Sequence, residues 1–431
     1  MSRVLAAVWA GVLLLGAACS AHAAGVASTF LLRPDKVWTG DEAPAHPDWA
    51  VLVRDGAIVA VGAERTLTIP TDAQRIDLPG TTLTPGLIDL HSHLFLHPYN
   101  EVAWNDQVLK EPEAYRTVLA TQHARETLMS GFTTLRDLGT EGAGYADVSI
   151  KRAIDEGLVP GPRLFIATRA IVASSSYGPG PRGFRPDIEL PQGAQEVSGR
   201  DEATRAVREQ AGRGADWIKL YADYRIGSDG SAQPTFTADE LKAIVEAAHL
   251  SGRPVSAHAA SDKGMRMAIE AGVDSIEHGY AGSEATFRLM RDRAVAYLPT
   301  LTAVESTEQY FNHYQSGQPP TPKMQEAEQG FRRALAAGVT IGCGSDVGVF
   351  RHGDNWREPA WLVKLGMSPA QALRACSSVA AKILRQQDRI GRIAPGLRAD
   401  LAAFTGDPSE RIEALQQPVF VMKDGVVYRE P

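Results

Sequence analysis

The sequence predicts an α/β chain: a closed parallel (β/α)8 TIM barrel joined to a small β-sandwich formed from both chain ends. Two observations carry that expectation. From Thr84 to Asp346, eight short apolar segments alternate with helix-compatible sequence, the order expected of parallel strands linked by helical crossovers. Outside them, both ends read as strands broken by Asp-Gly, a tight-hairpin signal. A chain of 431 residues, 44% hydrophobic and 22% charged, can bury the large core that such a barrel needs.

In chain order, residues 1–23 read as an export signal. Arg3 precedes an apolar run from Val4 to Ala18, and Ala21-His22-Ala23 fits a small-x-small cleavage site. The run is too short and alanine-rich for a permanent membrane span, which takes ~20 apolar residues. Lipidation of Cys19 is the weaker variant, because Gly16 stands where such signals carry a branched apolar residue. The mature chain is therefore expected outside the cytoplasm, periplasmic or secreted. Of the 3 cysteines, Cys343 and Cys376 remain after cleavage; they imply no disulfide framework and read as buried free thiols.

Residues 24–84 together with 391–431 are expected to form the sandwich. TFLLRPDKVW and AVLVRDGAIVAVG at one end are matched by RIGRIAPGLRADLAAF and PVFVMKDGVVYRE at the other, with hairpin turns at Asp55-Gly56 and Asp424-Gly425. Residues 85–390 are expected to form the barrel. Its strand candidates are TPGLIDLHSH, FTTLRDLG, RLFIATRAI, DWIKLYA, PVSAHAA, DSIEHGY, VAYLPTL and VTIGCGSD, and Tyr115 to Ser130 between the first two has helical spacing. An open doubly wound sheet is the alternative, but no Gly-x-Gly-x-x-Gly opens a helix after the first strand, so a dinucleotide site is unsupported.

A formal charge of -7 and the absence of a basic run with interleaved aromatics argue against nucleic acid as a partner. A small-molecule substrate is expected instead, with no stable membrane span and with homo-oligomer assembly left open.

Chemistry collects at the ends of the strand candidates. The strand period of two puts His91 and His93 on one face of the first. Lys219 lies on the fourth, His258 ends the fifth, His278 the sixth and Asp346 the eighth. Singly, each has a plain explanation: a satisfied core histidine, a solvated lysine, a helix N-cap. Together they fall on five strands of one barrel, whose geometry aims strand ends at a common centre.

This pattern resembles the amidohydrolase superfamily, with His-x-His on strand one, a metal-bridging Lys on strand four, His on five and six, and Asp on eight. The resemblance extends over nearly the whole chain, including GRIAPGLRADLAAF, similar to the segment by which such enzymes re-enter the sandwich. GADWIKLY, PVSAHA, SIEHGY and IGCGSD are similar to the Xaa-Pro dipeptidase and imidazolonepropionase-like branch. It implies two divalent ions, best matched by Zn, held by His91, His93, Lys219, His258, His278 and Asp346, with Lys219 carboxylated on its ε-nitrogen as the bridging ligand. Two departures stand out. Ala260 occupies a position where many relatives carry Tyr or His, and SSSYGPGP replaces a Gly-Gly-His motif after strand three.

Neutral imidazoles and a carboxylate suit Zn or a similar first-row cation, and two ions about 3.5–4 Å apart can share one hydroxide at neutral pH. The expected reaction is hydrolysis of an amide in a dipeptide or other N-acyl amino acid. Asp346 would shuttle the proton and Tyr221, on the same strand face as Lys219, would stabilise the oxyanion. Tyr177, Tyr224, Arg225, Arg351 and His352 are the candidate substrate-binding residues; an arginine would clamp a substrate carboxylate with two hydrogen bonds. A cyclic amide or lactone, or a xenobiotic amide such as a mycotoxin conjugate, is the alternative substrate class. A non-catalytic barrel is the third reading.

Overall fold

Parallel pairing runs through the eight apolar segments as the alternation requires. The computed structural model describes residues 29–431; the expected export signal, with Cys19, lies outside the described residues. Barrel strands are Leu87–Ser92, Phe132–Asp137, Arg163–Ile166, Ile218–Tyr221, Val255–Ala259, Ser275–His278 and Ala296–Leu298. The third meets the fourth where Asp216 N and Trp217 N both donate to Ile166 O, and where Ile171 pairs with Leu220.

The eighth strand is a thread of single bridges, Tyr297 to Ile341 and Ser92 to Val347. It closes the barrel through Leu90 N to Cys343 O and Asp346 N to His91 O, both 2.8 Å. Its glycines are required by close packing. A Cβ on Gly342 would meet Leu90 and Leu298 at 2.8 Å, and one on Gly344 would meet the His91 Cβ at 3.0 Å. Backbone contact this tight brings Asp346 beside the first strand.

The chain ends build one mixed sheet of eight strands, in which Leu401–Thr405 pairs with Gln74–Pro85 and carries Pro418–Lys423 on its other edge. The sheet folds over on itself: Ile58 N donates to Leu397 O at 2.8 Å and Ala399 N to Gly56 O at 2.9 Å. Leu32, Val51, Val53, Leu83, Leu401, Phe420 and Met422 fill the space between its layers. Both Asp-Gly turns form, with φ of 53° and 79° at Asp55 and Gly56 and of 50° and 76° at Asp424 and Gly425, the left-handed pair of a type I′ turn. The molecule is thus a TIM barrel with a β-sandwich from both ends. A single residue, Gly86, separates the sandwich strand Gln74–Pro85 from the first barrel strand, so sandwich packing fixes where the His-x-His pair begins.

The cysteines correct the sequence-based expectation of free thiols. Cys343 and Cys376 form a buried disulfide with Cα atoms 4.8 Å apart. Cys376 follows the helix Pro369–Ala375, and Cys343 N donates to Ala375 O at 3.0 Å, so the fold makes neighbours of residues 33 apart that a cysteine count cannot relate. Among the described residues, no helix is long and apolar enough to cross a membrane.

Candidate metal centre

The C-terminal ends of the strands place the expected ligands together. His91 Nε2 and His93 Nε2 lie 3.5 and 3.3 Å from the same Asp346 oxygen, Oδ1, and one donor atom from each residue falls within 4.8 Å of the others. The ring of His278 is 5.2 Å from that of His91 and 4.4 Å from that of His258. Lys219 is fully buried, and its Nζ has no hydrogen-bond partner among the described residues.

Three of the four imidazoles are held from behind. His91 Nδ1 meets Glu277 Oε2 at 2.8 Å, His93 Nδ1 meets the Gly139 carbonyl at 2.9 Å, and His278 Nδ1 meets Thr300 Oγ1 at 2.8 Å. Such acceptors fix the tautomer and leave Nε2 facing the centre, the outer support that metal-ligating histidines carry. Glu277 also accepts from Arg136, Ser256 and Ser275, so both of its oxygens are used. His278 and Asp346 have φ of 74° and 63°, left-handed values rare for non-glycine residues and frequent at functional sites.

The charges match this geometry. Burial holds His91, His258 and His278 well below the ordinary imidazole range, which keeps them neutral and able to bind a cation. His93 behaves oppositely: although burial opposes its charge, the hydrogen bond and field of Asp346 raise it to about 9. Asp346, against the cost of burial, is drawn down to about 2 by His91, His93 and Lys219. Burial lowers Lys219 to about 8. Three neutral imidazoles, a fourth paired with an ionised carboxylate, and an orphaned buried amine are a donor set fitted to divalent cations.

The amidohydrolase family model matches residues 82–429. The chain belongs to that family. It is similar to a crystallised Xaa-Pro dipeptidase with methionine bound in its active site, at 32% identity and a TM-score of 0.83, over 93% of this chain and 100% of that one. A crystallised prolidase in complex with N-methylphosphonate-L-proline matches at 27% identity and a TM-score of 0.79, over 94% and 100% of the two chains. Ochratoxinase of Aspergillus niger is 28% identical over 433 residues, covering 91% of this chain and 85% of that one. The protein is thus a hydrolase of amide or peptide bonds.

Around the centre, this amidohydrolase sorts the expected substrate residues into two groups. The Tyr221 ring stacks on His258 at 4.5 Å, and its hydroxyl is 3.4 Å from that of Tyr177. Tyr224 packs 4.9 Å from Tyr177, and the exposed Arg225 lies 5.8 Å over the Tyr224 ring. These four form one wall beside the fifth-strand histidine. The loop after strand eight contributes less. Arg351 is exposed, whereas His352 stacks on His123 at 4.2 Å and its Nε2 faces the Leu96 carbonyl at 3.0 Å, so the structure does not bring it to the centre. Asn355 is bonded to Asp89, and Arg357 is paired with Glu305.

Three groups escaped sequence reasoning. Glu277 and Arg136 are a fully buried ion pair inside the barrel, 2.9 Å apart. Their signal was available, since each is a charge inside a strand candidate, SIEHGY and FTTLRDLG. Glu141, from the loop after strand two, is buried and carries a φ of 49°. Nothing in TEGAGY marks it from a solvated loop carboxylate.

Proposed function

We propose that this amidohydrolase cleaves the amide bond of a dipeptide or other N-acyl amino acid, with two divalent ions held by His91, His93, His258, His278, Asp346 and an N-carboxylated Lys219. Lys219 carries the reading. A lysine sealed in the barrel with no hydrogen bond, among three neutral imidazoles and a carboxylate, has no structural use as an ammonium. An ammonium 4 Å from a dication would suffer roughly 8 kcal/mol of repulsion at an effective dielectric of 20. As a carbamate the same side chain becomes an anionic ligand. Its lowered pKa of about 8, caused by burial, favours the neutral amine that reacts with carbon dioxide.

When bound, the ions would supply an activated water at neutral pH and polarise the scissile carbonyl. Asp346 accepts the proton of the attacking water and passes it to the departing amine; its low pKa keeps it ionised beforehand. The Tyr221 hydroxyl, which burial keeps protonated, donates to the developing oxyanion. Arg225, with no ion pair among the described residues and Tyr224 beneath it, receives the substrate carboxylate. The likeness to an Xaa-Pro dipeptidase and a prolidase supports the dipeptide reading. We further propose export, on the N-terminal signal pattern alone.

Metal analysis joined to a dipeptide and N-acyl amino-acid screen tests the reading. The protein should carry close to two divalent ions and cleave members of that library, and Lys219→Ala should lose both properties, with short carboxylic acids restoring part of each. Two tightly bound ions and undiminished turnover in Lys219→Ala would overturn the bridging role. A second reading has support in the aromatic wall and in the likeness to ochratoxinase: the substrate is an amide with a bulky aryl acyl group in place of an aminoacyl group.

A further inference from the structure

Glu141 is a buried carboxylate beside the centre that the proposed chemistry leaves without a task. Trp104 Nε1 and the Tyr177 hydroxyl both donate to a single oxygen, Oε2, at 2.9 and 2.7 Å. The other oxygen, Oε1, receives only the Tyr221 hydroxyl at 3.5 Å, at the outer limit of a hydrogen bond. A carboxylate that is 2% exposed with one oxygen nearly unpartnered needs a donor. Arg116 does not supply it, because its Nε, Nη1 and Nη2 donate to the carbonyls of Phe95, Glu141 and Thr140, holding the loop by its backbone.

This oxygen lies in the neighbourhood of His93. Oε1 and the Cε1 of His93 lie 3.4 and 3.7 Å from the Cβ position of Gly139, so both border the side-chain-free face of that residue. Aromatic rings enclose it: Trp104 and Tyr177 are 5.0 Å apart, and Tyr177 and Tyr221 4.7 Å. An anionic oxygen among aromatic faces is the recognition chemistry of an ammonium group. The opposite pole lies along the same wall, where Tyr177 leads to Tyr224 and Arg225.

Such polarity fits a zwitterion. Two extended residues span at most about 7 Å, which places an ammonium and a carboxylate on either side of one amide. We infer that Glu141 is a specificity-determining residue that binds the free α-amino group of a dipeptide, so that the enzyme selects substrates with an unblocked N-terminus. This rests on the dipeptidase reading above and narrows it, since N-acylated amino acids and aryl amides have no such cation.

The test compares alanyl-proline with isobutyryl-proline, in which a methyl replaces the ammonium at nearly the same volume, on metal-loaded wild-type protein and Glu141→Gln. Wild type should favour alanyl-proline by ~10- to 100-fold in kcat/KM, the range of a buried charge-assisted hydrogen bond. Glu141→Gln should lower that value by a similar factor, mainly through KM, and leave isobutyryl-proline within about 3-fold. Equal wild-type rates on the two compounds, or an equal loss on both in Glu141→Gln, would overturn the inference while leaving the dipeptidase reading intact. If neither compound nor any member of the dipeptide and N-acyl amino-acid library is cleaved, that reading fails. Calorimetric binding of a phosphinic alanyl-proline analogue and its deamino counterpart to wild-type protein then decides the subsite separately, and also serves if Glu141→Gln does not fold. Tighter binding of the amino form supports it, and equal or absent binding sinks it.

Discussion

At the scale of single residues, Asp346 is asked to do two things, ligate and move a proton, and a substitution can separate them. Asp346→Asn keeps an oxygen toward His91 and His93 but cannot accept the proton, so kcat should fall at least ~100-fold with part of the metal retained. Metal content measured beside turnover checks this, and near-normal turnover would require another base. Glu277 tests the layer behind. Glu277→Gln leaves Arg136 buried without its counter-charge and weakens the hold on His91, so metal affinity should drop by about 10- to 100-fold and stability by roughly 3–5 kcal/mol. Unchanged metal affinity would confine Glu277 to packing. The group of His91, His93 and Asp346 was legible because each is chemically unusual at the end of an apolar segment. Glu141 was not, since its role depends on which oxygen Trp104 and Tyr177 occupy, and spacing along the chain carries no such information.

At the scale of elements, hairpins and central strands were legible because Asp-Gly turns and apolar runs are local signals, whereas the eighth strand owes its place to Gly342 and Gly344 fitting against the first and seventh. The disulfide was hidden for the same reason. Long-range contacts also set one pH response. Glu358, on the helix Arg357–Lys364, is fully buried and accepts from Leu301 N, Thr302 N and the Thr302 hydroxyl at the start of the helix Leu301–Asn312. Burial raises it from 4.5 to about 7. Between those values the folded state holds a proton that the unfolded chain has released, so stability falls as pH rises through the window, by up to about 1.4 kcal/mol per pH unit. Glu358→Gln removes that slope. Denaturant titrations at pH 5 and pH 8 should show wild type losing stability relative to the variant. Parallel profiles would mean that Glu358 keeps an ordinary carboxyl pKa.

At the scale of the whole molecule, the barrel and sandwich are joined so closely that metal binding should be felt by both. The strand Gln74–Pro85 passes into Leu87–Ser92 through one glycine, and Leu401–Thr405 returns to pair with it. Arg163, on the third barrel strand, pairs with Asp400 and Asp424 of the sandwich at 3.1 and 2.7 Å, and Gly86 N donates to Asp400 O at 2.7 Å. Shifting the sandwich would therefore displace the start of the strand that carries His91 and His93. Ions held at 100 times their dissociation constant add about 2.7 kcal/mol per site to the folded state. If the two parts unfold as one unit, chelation should move a single transition to lower temperature, with heat absorption and tryptophan fluorescence giving the same midpoint. Calorimetry with tryptophan fluorescence, before and after chelation, reads this directly. Two transitions, of which only one responds to metal, would show that the sandwich folds independently and that its joint with the first barrel strand transmits no stability to the ligands.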